Sequence, residues 1–201
     1  MSVAAGSLIT AAQFRAYVPA IPAADTSNDT LFELLIDGVS EAFNKYVGRT
    51  LAKTTYTAVY IDGNGKESLL LPQYPVASIT SITEDRNALT EGEDNDYLLY
   101  AASGILKRVS GAWAKGPKTI KITYVAGYVV QGTTVTAPDI ALPADLKLAC
   151  MMQVAREWQK TKGSEWGESS RSFPDGSISR FETALLKEVR EILDHYRSFT
   201  L

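Results

Sequence analysis

The only histidine, His195, and the only cysteine, Cys150, are the first places to look for proton or nucleophile chemistry. A reactive side chain needs a proton partner and an orienting group held with it in a pocket. His195 falls four residues after Glu191, on the polar side of a C-terminal helical pattern, which is the spacing of a solvated helical pair. Cys150 sits among Ala149, Met151 and Met152, the surroundings of an inert, mostly buried thiol. One cysteine also excludes an internal disulfide and a cysteine-rich zinc site, which suits folding in a reducing cytoplasm. The carboxylates Glu84, Asp85, Glu91, Glu93, Asp94 and Asp96 could converge on a cation, but they lack the ligand rhythm and central glycine of an EF-hand loop. A solvated, self-repelling turn is expected there. The run DGNGKES, residues 62–68, has glycines that could cradle a phosphate, yet no Gly-Lys-Ser/Thr leads into a helix. No catalytic residue, cofactor or metal site is therefore expected.

The elements that would position any site divide into three stretches. In the first, Thr10 with Gln13 forms a capping-box pattern, and the helix it opens stops before Pro19. A longer helix follows, capped by Ser27, Asn28 or Asp29, with Leu31, Leu35, Val39, Ala42 and Tyr46 at helical spacing and Gly48 as its stop. From Thr54 the pattern changes to short extended segments. TTYTAVYI and ESLLL, joined across DGNG, read as a hairpin, and VASITSIT, DYLLY, GILKR and TIKITYVAGY continue an antiparallel sheet.

Pro143 then opens a helix with Leu148, Met151, Met152, Ala155 and Trp158 on one face. Leu146, Ala149, Cys150 and Val154 cover another side, as if the helix packed between two layers. Residues 163–178, rich in glycine and serine, read as a mobile loop. Ser179 with Glu182 caps a last amphipathic helix bearing Leu185, Val189, Ile192 and Tyr196. The fold class is α+β: N-terminal helices over 1–50, an inserted antiparallel β lobe over 51–130, and C-terminal helices over 143–201 that complete one helical bundle.

Within the lobe, YPVASITSIT spaces Val76, Ile79 and Ile82 three residues apart, which fits neither a half-buried strand nor a helix beginning at Pro75. Stiff β-branched residues favour an extended chain, with Val76 and Ile82 on one side and Ala77 and Ile79 on the other. One side would pack on its own core and the other on a helix or an adjacent subunit, with a bulge assisting. Trp113 and Trp166 stand in polar or glycine-containing loops, where each either anchors a partner or folds back over its own domain. Arg171 and Phe173 share the late loop. The candidate partner-contact residues are thus Trp113, Trp166, Arg171, Phe173, Val76 and Ile82.

Composition narrows the partners. With 45% hydrophobic and 21% charged residues and a formal charge of -3, the chain has no global basic field for nucleic acid or anionic lipid. No run of about 18 apolar residues occurs, so no membrane span is expected. The N-terminal segment lacks the basic start and apolar core of a secretory signal.

Three motifs in order resemble a known family. Tyr46, Gly48, Arg49 and Thr50 follow the second helix; Leu71, Pro72, Pro75, Val76, Ser78, Ile79, Ser81 and Ile82 lie in the sheet; Thr123, Tyr124, Ala126, Gly127 and Tyr128 precede the next helix. From about Leu8 to Lys160 the chain resembles the phage head-tail connector (adaptor) proteins, whereas the stretch beyond residue 163 extends past their shorter members. The resemblance implies a non-enzymatic virion protein of the neck, made in the host cytoplasm. It implies a homo-oligomeric ring of about twelve-fold symmetry between portal protein and a tail-completion or stopper protein, with DNA passing through without specific binding. Another tail-completion or neck protein is the alternative, and a small metal-dependent enzyme using the acidic loop 84–96 is a further one.

Overall fold

A computed structural model describes residues 6–22, 24–130, 135–163, 170–173, 176–179 and 185–198. Among them are four helices and antiparallel sheets, the α+β fold that the mixed patterning predicts. The chain divides into two compact units, one of Met1–Gly48 with Pro143–Leu201 and one of Arg49–Leu142.

The first unit carries the four helices. Helix α1 (Ala11–Tyr17) begins at the expected capping box: the Thr10 hydroxyl accepts from the Gln13 amide, and the Gln13 side chain accepts from the Thr10 amide, both at 3.1 Å. Helix α2 (Asp29–Val47) has Asn28 as its N-cap residue and ends at Gly48, whose φ of 73° is left-handed backbone that glycine adopts without a Cβ clash. The inward face of α2 is Phe32, Ile36, Val39, Phe43 and Val47. That face is rotated from the predicted stripe, of which only Val39 is fully buried. Aromatic packing decides the rotation: Phe14 and Phe32 meet edge-on at 5.0 Å, and Trp158 closes the cluster at 5.7 Å from Phe32.

Helix α3 (Ala144–Gly163) supplies that tryptophan and buries Leu146, Ala149, Cys150, Gln153 and Val154, while Leu148 is exposed. Helix α4 (Lys187–Asp194) starts later than Ser179 predicts, with Leu186 as its N-cap residue, whose amide donates to Gln153 Oε1 at 3.0 Å. It buries Val189 and Leu193. Ser179 instead ends a strand. The segment expected as a loop contains a hairpin of β8 (Ser170–Phe173) and β9 (Gly176–Ser179).

The second unit holds two sheets. One has the order β1 (Thr54–Gly63), β7 (Gly116–Ala126), β3 (Val76–Glu84), β4 (Asn87–Ala88); the other has β2 (Ser68–Leu70), β6 (Ile105–Arg108), β5 (Tyr97–Tyr100). The predicted β1–β2 hairpin does not form. β1 pairs with the Ile-rich β7, β2 pairs with β6, and the DGNG turn carries the chain from one sheet to the other.

Central strand β7 alternates cleanly, with Ile120, Ile122, Tyr124 and Ala126 all facing the core. Its neighbour β3 advances three residues where β7 advances two: Val76 lies opposite Ala126, Ile79 opposite Tyr124, and Ile82 opposite Ile122. Bulges at each step absorb the extra residue. Val76, Ile79 and Ile82 therefore all face one core, and Ile79 packs with them rather than on the other side. β1 makes the same adjustment, Tyr56 opposite Tyr124 and Val59 opposite Ile122, with Ala58 at φ 53° and its amide bonded to Thr123 Oγ1.

Candidate functional site

Neither histidine nor cysteine chemistry is assembled. His195 is exposed at the end of α4. Cys150 is fully buried, and burial pushes its thiol up to about 12, the opposite of what a nucleophile requires. The acidic stretch is partly spent inside the β-rich unit. Glu84 accepts from the Ala114 amide at 2.7 Å and pairs with Arg108 at 3.3 Å, and Asp96 accepts from the Thr90 amide at 2.8 Å. Among the described residues no group of three or more His, Cys, Asp or Glu could hold a metal ion. No helix among them is long and apolar enough to cross a membrane.

What the β-rich unit does assemble is a junction built around Arg49. This side chain is 4% exposed, lies 4.0 Å over the Tyr74 ring and 5.8 Å from that of Tyr128, and donates to the Tyr74 carbonyl. A guanidinium can be buried in this way because its flat face stacks while its N–H groups bond. The Thr50 amide donates to Gln73 Oε1 and that of Gly127 to the Pro75 carbonyl, while the Tyr128 amide donates to the Leu51 carbonyl. Gly127, at φ 108°, is required: a Cβ would sit 2.5 Å from the Ala52 carbonyl oxygen. Parts of all three motifs that carry the family resemblance meet here, which the sequence alone, with its motifs some twenty-five and fifty residues apart, does not reveal.

Among the described residues each unit has an open surface. On the helical unit an apolar groove of about 320 Å³ is lined by Leu34, Leu35, Gly38, Ala42, Gln153 and Leu185. Leu34 is 69% exposed there. On the β-rich unit a larger groove of about 780 Å³ lies at one end of the four-stranded sheet, where Arg86, Lys118 and Lys121 surround Tyr60, Ser81 and Thr83. The first also holds the Glu157–Lys160 ion pair at 3.4 Å, and the second sets three cations beside hydroxyls and a tyrosine ring; both read as contact surfaces.

The family of head completion proteins matches residues 7–199 of this sequence. The chain belongs to that family. The membership bears out the expected class, a phage head-tail connector or completion protein. Solved structures are similar in fold. A chain in the neck of an empty gene transfer agent particle computed with C6 symmetry has a TM-score of 0.57 and 16% identity, covering 100% of this chain and 96% of that one. A chain in the virion of the native gene transfer agent particle gives 0.56, and one in the neck of the native particle computed with C12 symmetry gives 0.54, at the same identity and coverage. The comparison with curated proteins finds no match.

Against this family background the six candidate contact residues are placed as follows. Trp113, Val76 and Ile82 are 1%, 0% and 2% exposed, so their side chains are spent in the core of the β-rich unit and offer a partner no area. For Trp113 the fold-back alternative holds: its indole N–H donates to the Leu106 carbonyl at 3.2 Å, and Arg108 lies 5.3 Å over its ring. Arg171 and Phe173 fall in β8, opposite Ile178 and Gly176. Trp166 lies outside the described residues. The signal that could have found Leu34 is the second apolar line on α2, since Leu31, Leu34 and Leu35 repeat beside the inward Phe32 and Ile36.

Proposed function

We propose that this member of the head completion family works by assembly: identical chains close a ring in the neck of a tailed phage or prophage particle. The ring docks on a portal, receives a tail-completion or stopper protein on its other side, and leaves a central channel for DNA. The observation that carries this reading is the family match over nearly the whole chain, 7–199. The fold likeness to chains from gene transfer agent necks computed with C6 and C12 symmetry supports a ring of about twelve copies. The exposed Leu34 groove supports it as well, because a lone helical subunit gains by covering such a surface. With a formal charge of -3 the chain offers DNA phosphates no net attraction, which suits passage rather than capture.

Electron microscopy of the purified protein mixed with its portal tests the proposal. A closed ring stacked coaxially on the portal is expected. Protein that stays monomeric at every concentration and leaves the portal undecorated overturns it, and density at another position along the tail reassigns the chain to a different completion role. The portal must be present, because a weak ring gains stability from the partner on which it forms.

A further inference from the structure

We propose that the basic groove of the β-rich unit receives the acidic turn, residues 91–96, of a neighbouring copy of the same chain. This rests on the ring reading above and names one contact that would hold it. The groove is built on the outer face of the sheet. Tyr60, Lys121 and Thr83 stand side by side across β1, β7 and β3, one step out of phase with the inward Val59, Ile122 and Ile82. Lys121 Nζ lies 5.8 Å from the Tyr60 ring, and Arg86 and Lys118 complete the cationic rim against the single acid Asp85.

The backbone supports this placement. Asp85 and Arg86 are the two central residues of the β3–β4 turn, at φ 46° and 73°, and Lys118 is at φ 54°. A turn of that shape ordinarily takes Asn-Gly. Arginine and lysine hold left-handed positions here at a cost glycine would avoid, which the fold tolerates and which puts two long cations at the mouth of the groove.

The ligand is on the same unit. Glu91, Glu93 and Asp94 are exposed and, among the described residues, none has an ion-pair partner; nor has Arg86, Lys118 or Lys121. The turn that carries these carboxylates is pre-formed: the Gly92 amide donates to the Tyr97 carbonyl at 2.9 Å, that of Asn95 to the Gly92 carbonyl at 3.1 Å, and Asp96 accepts from Thr90. A shape already fixed loses little freedom on docking. The β-rich unit has nine basic and nine acidic side chains, so its charge is segregated rather than in excess. Such a unit has no long-range pull on a polyanion, but two complementary patches on one chain fit head-to-tail contact, repeated at every interface of a ring. Contacts of this kind set register and encounter rate.

Charge reversal tests it with the full chain and its portal. Lys118→Glu with Lys121→Glu makes the groove acidic, and Glu93→Lys with Asp94→Lys makes the turn basic; circular dichroism checks that each variant folds. Each alone should form at least tenfold fewer rings than the parent chain, because groove and turn then repel. A one-to-one mixture should recover rings in which the two variants alternate, since only unlike neighbours match. If either folded variant forms rings alone as well as the parent chain, or the mixture gains nothing, the proposal is overturned while the ring stands. If the groove variant keeps its rings but loses retention of duplex DNA, the groove serves a polyanion and the proposal is overturned in that direction. If the unaltered chain forms no ring on its portal, the ring reading itself fails and this contact with it.

Discussion

The helical unit and the β-rich unit dispose of apolar surface in different ways. The β-rich unit seals eleven side chains, from Leu69 to Ala126, around Trp113 and Tyr124, and leaves a charged outer face. The helical unit closes Phe14, Phe32 and Trp158 together but leaves a second apolar line on α2, with Leu34 open to solvent. A sheet can be apolar on one face and polar on the other because its side chains alternate, whereas a helix with apolar residues at both sets of spacings keeps one set outside unless another helix covers it. In the proposed ring the two exteriors would serve association by different forces: burial for the helices, charge for the sheet.

The sealed core of the β-rich unit carries the largest expected effect. Trp113→Ala removes a buried indole and its bond to the Leu106 carbonyl, and should lower stability by about 3–5 kcal/mol in denaturant unfolding. A loss below about 1 kcal/mol would mean that the unit is less tightly filled than described. Gly127→Ala comes next, at about 2–3 kcal/mol, because the new Cβ meets the Ala52 carbonyl oxygen at a left-handed φ. Thr10→Ala should cost about 1 kcal/mol by removing one half of the α1 capping box, read as a shift in thermal midpoint. The smallest effect separates the two kinds of surface: Leu34→Ser should leave stability within about 0.5 kcal/mol, measured by chemical denaturation of the free chain. A larger loss would place Leu34 inside the fold and erase the contrast.

Much of the fold was legible where a local rule decides. The capping box at Thr10, the stop at Gly48 and the extended reading of VASITSIT all rest on short-range backbone chemistry, and each is present. What failed depended on partners distant in sequence. The DGNG turn has hairpin residues, but the strand that suits β1 is β7, some fifty residues on, so the turn connects sheets instead. The faces of α2 and α3 were ambiguous because both helices carry two apolar lines, and only the Phe14–Phe32–Trp158 cluster chooses between them. For the late segment, glycine and serine content concealed the β8–β9 hairpin, and the capping pattern at Ser179 was outcompeted by strand pairing. The candidate surfaces were least legible. A tryptophan in a polar loop reads equally as an anchor or a core residue, and Arg86, Lys118 and Lys121 become neighbours only through strand register.

The pairing of β1 with β7 fixes the order in which this chain can fold. As the polypeptide leaves the ribosome, Thr54–Gly63 emerges some fifty residues before its partner Gly116–Ala126, and β3 waits for the same strand. Nothing in that sheet can zip from a nearby turn except the short β3–β4 end, so its completion is a late, single event that depends on the last-made strand. Until then, two β-branched ribbons lie with open edges, and the nascent chain is most exposed to wrong pairing just before β7 emerges.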